Sequence, residues 1–288
     1  MNQKYKDKIA VTTGDINGIG AEITVKALKS LDVPPEKVVI ISSKDYIDKY
    51  PEFDSKYEVL DIPFVGNVEY GKLSKESGEF SFQCLKKACE IQPKAIVTAP
   101  VSKEALHLAG HNFNGQTEVL EHFLAHDGQK AEMLFTSSSF DVLLLTRHCA
   151  LKEVQITQEL IIEKVNRLAD YYSRKGVEKP KFALCSLNPH AGEGGILGRE
   201  EIEVIKPAVN ILRESGVNIT DPLPSDTLFV DAGKSYYKGE KAPYSCYIAM
   251  YHDQGLIPIK TIAAEKTVNT TIGLDIIRTS PSHGTAFD

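Results

Sequence analysis

Short apolar runs alternate along the chain with longer stretches of helical period. Residues 9–13, 37–42, 95–99, 181–187 and 247–251 read as strands, and residues 267–272 as another. Residues 21–31, 118–125, 157–175 and 200–215 place apolar side chains at helical spacing. Residues 133–135 and 142–146 read as a pair of strands, while residues 57–75 are rich in turn formers and resist assignment. This alternation predicts an α/β architecture with a largely parallel sheet. A chain of 288 residues is long enough for two lobes.

Charge and cysteine content narrow the function classes. The formal net charge is -6 and the basic residues are scattered, which excludes a basic footprint for nucleic acid. No apolar run reaches transmembrane length, so no membrane partner is expected and the chain reads as cytoplasmic. Five cysteines without a CxxC pair read as reduced thiols. Cys149, Cys185 and Cys246 lie in or beside apolar runs and are expected to be buried.

Three histidines stand apart from the rest. His148, His190 and His252 each follow an apolar run that reads as a strand. The C-terminal ends of parallel strands open onto the ligand crevice, so three strands can aim three imidazoles at one divalent metal. A single histidine at such a place is more often a hydrogen-bonded loop residue; three in glycine-rich or polar settings raise the metal reading to equal standing with that one. His107, His111, His122 and His126 lie near helical stretches and are expected to face solvent. Asp253 adjoins His252, and Asp226 sits in a Pro-rich stretch that reads as irregular. Either carboxylate can orient a ligand or accept a proton, or simply serve a turn or a helix cap.

Lys260, Asn269 and Arg278 supply two cations and an amide suited to phosphate or carboxylate, and Thr117 opens a helix that can cap itself or hold an anion. The turn Thr13-Gly14-Asp15-Ile16-Asn17-Gly18-Ile19-Gly20 joins a strand to a helix but has neither dinucleotide-binding nor Walker A spacing. It permits close backbone approach, to a ligand or to a neighbouring strand.

These motifs resemble the 4-hydroxythreonine-4-phosphate dehydrogenase family of vitamin B6 synthesis. The likeness rests on Thr13-Gly14-Asp15 through Gly20, Thr98-Ala99-Pro100-Val101-Ser102-Lys103, Gly115-Gln116-Thr117-Glu118, Leu187 through Glu193, Tyr251-His252-Asp253-Gln254-Gly255, and Arg278-Thr279-Ser280 with His283-Gly284-Thr285. It implies two α/β/α lobes flanking a central cleft, in the isocitrate and isopropylmalate dehydrogenase style. The lobes would span residues 1–130 plus 275–288 (cofactor side) and 131–274 (metal and dimer side). It implies a homodimer with a shared active site, and a divalent metal (zinc, magnesium or cobalt) on His148, His190 and His252. Substrate contacts would be Gln116, Thr117, Lys260, Asn269 and Arg278. NAD or NADP would lie against Gly14, Asp15, Gly18, His283, Gly284 and Thr285. The implied reaction oxidises and decarboxylates 4-phosphooxy-L-threonine, a small phosphorylated hydroxy acid, to 3-amino-2-oxopropyl phosphate. Asp226 and Lys260 both remain candidates for the base.

Two departures accompany the resemblance. Gln116 stands where the family has histidine, and an amide cannot relay protons. Members of the family also continue past the position of Asp288, with a helix that completes the first lobe, so a shortened form or a natural variant is expected. Three other readings compete: a paralogue acting on D-threonate or D-erythronate 4-phosphate, a catalytically silent metal-binding homologue, and a metal-dependent hydrolase that needs no nicotinamide.

Overall fold

The computed structural model describes residues 3–287; Met1, Asn2 and Asp288, the outer limits of the first-lobe boundaries, lie outside the described residues. The chain divides into two units, Met1–Ala131 with Leu274–Asp288, and Glu132–Gly273. The strands are β1 Ile9–Thr12, β2 Val38–Ser42, β3 Glu58–Asp61, β4 Ala95–Thr98, β5 Glu132–Thr136, β6 Asp141–Leu144, β7 Phe182–Cys185, β8 Ile219–Leu223, β9 Cys246–Ala249, β10 Val268–Ile272 and β11 Ile277–Pro281. The α-helices are α1 Gly20–Leu31, α2 Lys44–Ile47, α3 Lys75–Glu90, α4 Lys103–Leu108, α5 Gln116–Leu124, α6 Gln158–Arg174, α7 Lys206–Glu214, α8 Ser225–Leu228, α9 Val230–Lys238 and α10 His252–Ala263.

In the first unit the strand order is β3-β2-β1-β4-β11, and every pairing is parallel. Parallel strands are covered on both faces, which explains the unbroken apolar run of β2. Val39 and Ile41 join a core with Phe80, Ile96 and Leu120, whereas Val38 and Ile40 join Val25, Leu28 and Ile47 on the opposite face. The two-residue alternation of the strand thus feeds two separate cores.

Helix α3 carries no clear apolar period, and its reason is packing rather than polarity. Its buried side includes Ser77, Gly78 and Ser81 beside Phe80, Cys84, Leu85 and Ala88. A Cβ at Gly78 would lie 1.9 Å from the Ala105 carbonyl oxygen, so α4 can approach only a glycine there. Ser74 caps the helix by accepting from the Ser77 amide at 3.0 Å.

The second unit orders its strands β10-β5-β6-β9-β7-β8. The pairs β10–β5 and β5–β6 are antiparallel, which limits the expected parallel sheet to β6, β9, β7 and β8 in this unit. The stretch around Pro222, read as irregular, is strand β8 followed by the short helix α8. β8 ends the order, where proline's missing amide costs no ladder bond. The stretch read as a helix over residues 200–215 is a π-helical turn, Glu201–Ile205, running into α7.

One buried ion cluster holds β5 to α6. Glu132, 2% exposed, accepts from Lys164 and, at 2.9 Å, from Arg167. Burial pulls the Lys164 pKa down while Glu132 pulls it back up. Removing the carboxylate strands a buried ammonium. Glu132→Ala is expected to cost about 3–5 kcal/mol in urea denaturation. Glu163→Ala removes the exposed carboxylate 3.0 Å from the same Arg167 and is expected to cost under about 0.5 kcal/mol. Equal losses would contradict the burial argument.

Candidate functional site

The second unit delivers the histidines. β6, β9 and β7 run parallel, so the segments after them emerge at one edge of the sheet. His148 follows β6 in an exposed loop, and His252 is the first residue of α10, which Met250 and Tyr251 join to β9. Their ring centroids lie 5.5 Å apart. The Asp253 carboxylate sits 2.6 Å from His252 Nδ1. That bond occupies Nδ1 and leaves Nε2 as the ring nitrogen open to a ligand. A cavity of about 360 Å³ opens here, lined by Arg147, His148, Cys149, Tyr251, His252 and Asp253 among others. Cys149, expected to be buried, is exposed: it lies beyond the end of β6, past the last buried position of that run.

The fit of α10 against the sheet sets the position of His252. A Cβ on Gly255 would meet Leu144, Val142 and Ala249 at 2.7–2.9 Å, so the helix lies directly on β6 and β9. Gln254 fastens the same turn. Its Oε1 accepts from the Met250 amide at 2.7 Å, and its Nε2 donates to the Ser186 carbonyl at 2.7 Å and to Ser225 Oγ at 2.9 Å. Sequence reasoning passed over Gln254, although it lies two residues from His252 in the quoted motif.

His190 behaves differently. It is exposed in the turn Pro189–Gly195, where His190, Ala191, Gly192, Glu193 and Gly194 all take left-handed backbone angles, with φ of 43–77°. Non-glycine residues hold such angles only under constraint. Fully buried Glu201 supplies it, accepting from the Leu187 and Asn188 amides at 2.9 and 2.7 Å. Among the described residues no three His, Cys, Asp or Glu side chains are gathered as a metal-holding group. The structure therefore brings His148 and His252 together and does not add His190 to them. The donor chemistry of the pair, two imidazoles with a carboxylate behind one, fits a divalent cation.

The other candidates of this unit are spread over α8, α10 and β10. Asp226 is exposed on α8 and shares a groove with Asp253, Ser225 and Ile257. Lys260 is exposed on α10, about two turns beyond His252. Asn269 on β10 holds a buried Oδ1 that has no hydrogen-bond partner.

In the first unit, β4 is flanked by two polar side chains. Arg278 on β11 is 2% exposed and donates from Nε and Nη2 to Thr98 Oγ1 at 2.9 and 2.6 Å. Burial draws its pKa down to about 10, opposed by the charge of Glu118, which leaves the guanidinium charged at neutral pH. Gln116 opens α5 and donates from Nε2 to the Ala99 carbonyl at 3.2 Å. Its Oε1 is buried without a partner. Thr117, the next residue, is 5% exposed. Thr98 was legible only as part of a motif, because nothing local announced that Arg278 would bond to it.

The glycine-rich turn proves to be tightly tied. Gly14 has φ +69°, and a Cβ there would meet the Pro100 carbonyl oxygen at 2.2 Å. Asp15 is fully buried, accepts from the Asn17 amide at 3.0 Å and from Ser77 Oγ at 3.3 Å, and has its pKa raised by burial. A Cβ on Gly18 would lie 2.9 Å from the Thr285 carbonyl oxygen, which also accepts from the Ile19 amide at 3.3 Å. The turn and the His283-Gly284-Thr285 segment are thus in direct contact. His283 is exposed, with Nδ1 2.9 Å from the Gly284 carbonyl oxygen. One of the four histidines expected in solvent is instead half-buried: His111 stacks on Phe82 at 3.6 Å and pairs with Glu79 at 2.8 Å. His107, His122 and His126 are exposed.

Comparison with known proteins adds a framework to this geometry. The family model described as pyridoxal phosphate biosynthetic protein PdxA matches residues 10–288. The chain is 38% identical to the 4-hydroxythreonine-4-phosphate dehydrogenase of Sulfurihydrogenibium sp. (strain YO3AOP1), covering 98% of this chain and 91% of that protein. It is 37% identical to the D-threonate 4-phosphate dehydrogenase of Salmonella typhimurium, covering 97% and 91%. A crystal structure of 4-hydroxythreonine-4-phosphate dehydrogenase from Klebsiella pneumoniae superimposes with a TM-score of 0.81 at 33% identity, covering 98% and 93%.

The Arg278–Thr98 contact can be tested by itself. Thr98→Val keeps the side-chain shape but removes the acceptor, leaving buried guanidinium donors unsatisfied. It is expected to lower stability in urea by about 1–3 kcal/mol, with Thr98→Ser restoring most of it. A valine variant as stable as wild type would show that the contact contributes nothing.

Proposed function

The chain belongs to the PdxA family of pyridoxal phosphate biosynthetic proteins, and from that premise we propose that it oxidises the hydroxyl of a small phosphorylated hydroxy acid with NAD and a divalent metal. The observation that carries this reading is the pair of imidazoles, His148 and His252, at neighbouring parallel strand ends, with Asp253 behind His252. The substrate we assign is 4-phosphooxy-L-threonine, which gives 3-amino-2-oxopropyl phosphate and carbon dioxide. A second reading, D-threonate 4-phosphate, is favoured by the near-equal identity to a relative of that name.

Each step rests on groups of this chain. His148 and His252 would hold the cation, and His190, which this chain does not bring to them, would join as the third imidazole only in a site shared between the two copies of the proposed homodimer. Bound there, a divalent cation would supply Lewis acidity, lowering the pKa of a nearby hydroxyl and polarising a carbonyl. Asp253 keeps the His252 tautomer fixed. Arg278, Thr117, Asn269 and Lys260 bind the anionic ends, so that remote binding energy positions the reacting carbon. Of the two candidate bases we assign Asp226, because it shares its groove with Asp253 whereas Lys260 does not line it. NAD is assigned to the contact between the Gly14–Gly18 turn and the His283–Thr285 segment, supported by the Ile19 to Thr285 bond.

Two further properties follow. The groove of α8, α9 and α10 exposes Val230 and Ile257, at 50% and 64%, which supports self-association into a homodimer. Light scattering is expected to give a dimer mass for wild type and a monomer mass for Ile257→Glu. Five unpaired cysteines support a cytoplasmic setting, and no described helix is long and apolar enough to cross a membrane.

The reaction is tested by NADH absorbance with a panel of phosphorylated four-carbon hydroxy acids and added divalent metal. Wild type is expected to reduce NAD with at least one, and Asp226→Asn to lower kcat by about 10²–10⁴-fold with little change in KM. Phosphate release without NAD would instead establish a hydrolase. Failure of wild type on the whole panel would overturn the proposal.

A further inference from the structure

The first unit holds a cavity lined by none of the residues assigned to substrate, cofactor or metal. Its volume is about 460 Å³, a size that encloses a small molecule. It opens where the parallel strands β1, β4 and β11 begin, since Lys6, Lys94 and Ile276 lie just ahead of them. Thr98 and the Gly14 turn stand at the other ends of β4 and β1.

The lining divides by chemistry. Phe123, Leu124 and Ile276 contribute apolar surface, and Lys6, Lys94 and His126 contribute side-chain nitrogens. Asp275 is the one carboxylate in the lining, and it accepts from Gln129 Nε2 at 2.9 Å. Lys4 and Lys8 both hold Glu58, whereas among the described residues Lys6 and Lys94 have no ion-pair partner. Two ammonium groups against one occupied carboxylate leave a positive excess that an anion satisfies.

Gln92 lines the same cavity, and its backbone is strained. It follows α3 in the left-handed conformation, at φ +47°. Helices α4, α6, α7 and α9 turn in that conformation on Gly110, Gly176, Gly216 and Gly239, and α1 turns on Asp32. Glycine adopts it freely and aspartate tolerates it, whereas a long side chain does neither. α3 therefore keeps a glutamine against its local backbone preference. The amide offers the cavity a donor and an acceptor that glycine would lack.

We infer that this cavity is a binding site for a small anion with an apolar body, an aromatic or branched molecule carrying one phosphate or carboxylate. Lys6 and Lys94 hold the charge, Gln92 bonds to a polar atom, and Phe123, Leu124 and Ile276 cover the body. The site uses neither metal nor NAD, so it is independent of the dehydrogenase reading.

Calorimetric titration of the full chain with phenyl phosphate, benzoate and inorganic phosphate tests the site. The tighter of the two aromatic anions is expected to bind at least about tenfold more strongly than inorganic phosphate, because its ring is buried. Which of the two binds more tightly decides between phosphate and carboxylate. Lys94→Met is expected to weaken that binding by about tenfold. Gln92→Gly is expected to weaken it several-fold while raising the urea midpoint, since the strain leaves with the side chain. A glutamine with only a structural role would lose no affinity on that change. Affinity unchanged in both variants would place the ligand elsewhere, for instance at Arg278, and would overturn the inference. So would the failure of both aromatic anions to bind wild type.

Discussion

The chemistry of this protein depends on the common direction of its paired strands. β6, β9 and β7 are parallel, as are β1, β4 and β11, so segments distant in sequence end at the same edge of a sheet. Backbone hydrogen bonding alone brings the approaches to His148 and His252 alongside each other, across a separation of more than a hundred residues. In the first unit it sets Arg278 beside β4, where Thr98 receives its guanidinium. The candidate histidines lie a few residues past their strands, whereas Asn269 and Arg278 lie within theirs.

Those end positions need support that strands do not provide. Gln254 links the end of β9 to the segments after β7 and β8 through three hydrogen bonds. Glu201 holds the segment after β7 through two backbone amides, and it opens a π-helical turn, a form that recurs near functional sites. Gly255 and Gly14 remove the side chain wherever a helix or turn must touch backbone or core. Among the described residues four buried side-chain atoms lack partners: Asn269 Oδ1 and Gln116 Oε1 belong to residues proposed as substrate contacts, whereas Thr12 Oγ1 and Tyr247 Oη do not.

Much of this was legible in the sequence, for reasons that differ by element. Buried strands such as β2 and β9 announce themselves because both faces are apolar. The helices α1 and α6 show a clear period because each presents one face to a core. α3 did not, since serines and a glycine take part in its packing, and α10 was masked by Gly255 and Pro258. Unlike the strand ends, the side-chain links were invisible. Nothing local pairs Arg278 with Thr98, separated by 180 residues, or turns the Gln116 amide toward Ala99. The left-handed backbone at His190 was equally hidden: glycines were visible around it, but not the angles taken by His190, Ala191 and Glu193.

The central claim is that His148 and His252 ligate one divalent cation, and X-ray absorption on the cobalt-loaded protein tests it most directly. The account predicts nitrogen scatterers at about 2.1 Å with the multiple-scattering pattern of at least two imidazoles, reduced by one ring in His148→Ala. An all-oxygen shell, or a spectrum identical in wild type and His148→Ala, would contradict it.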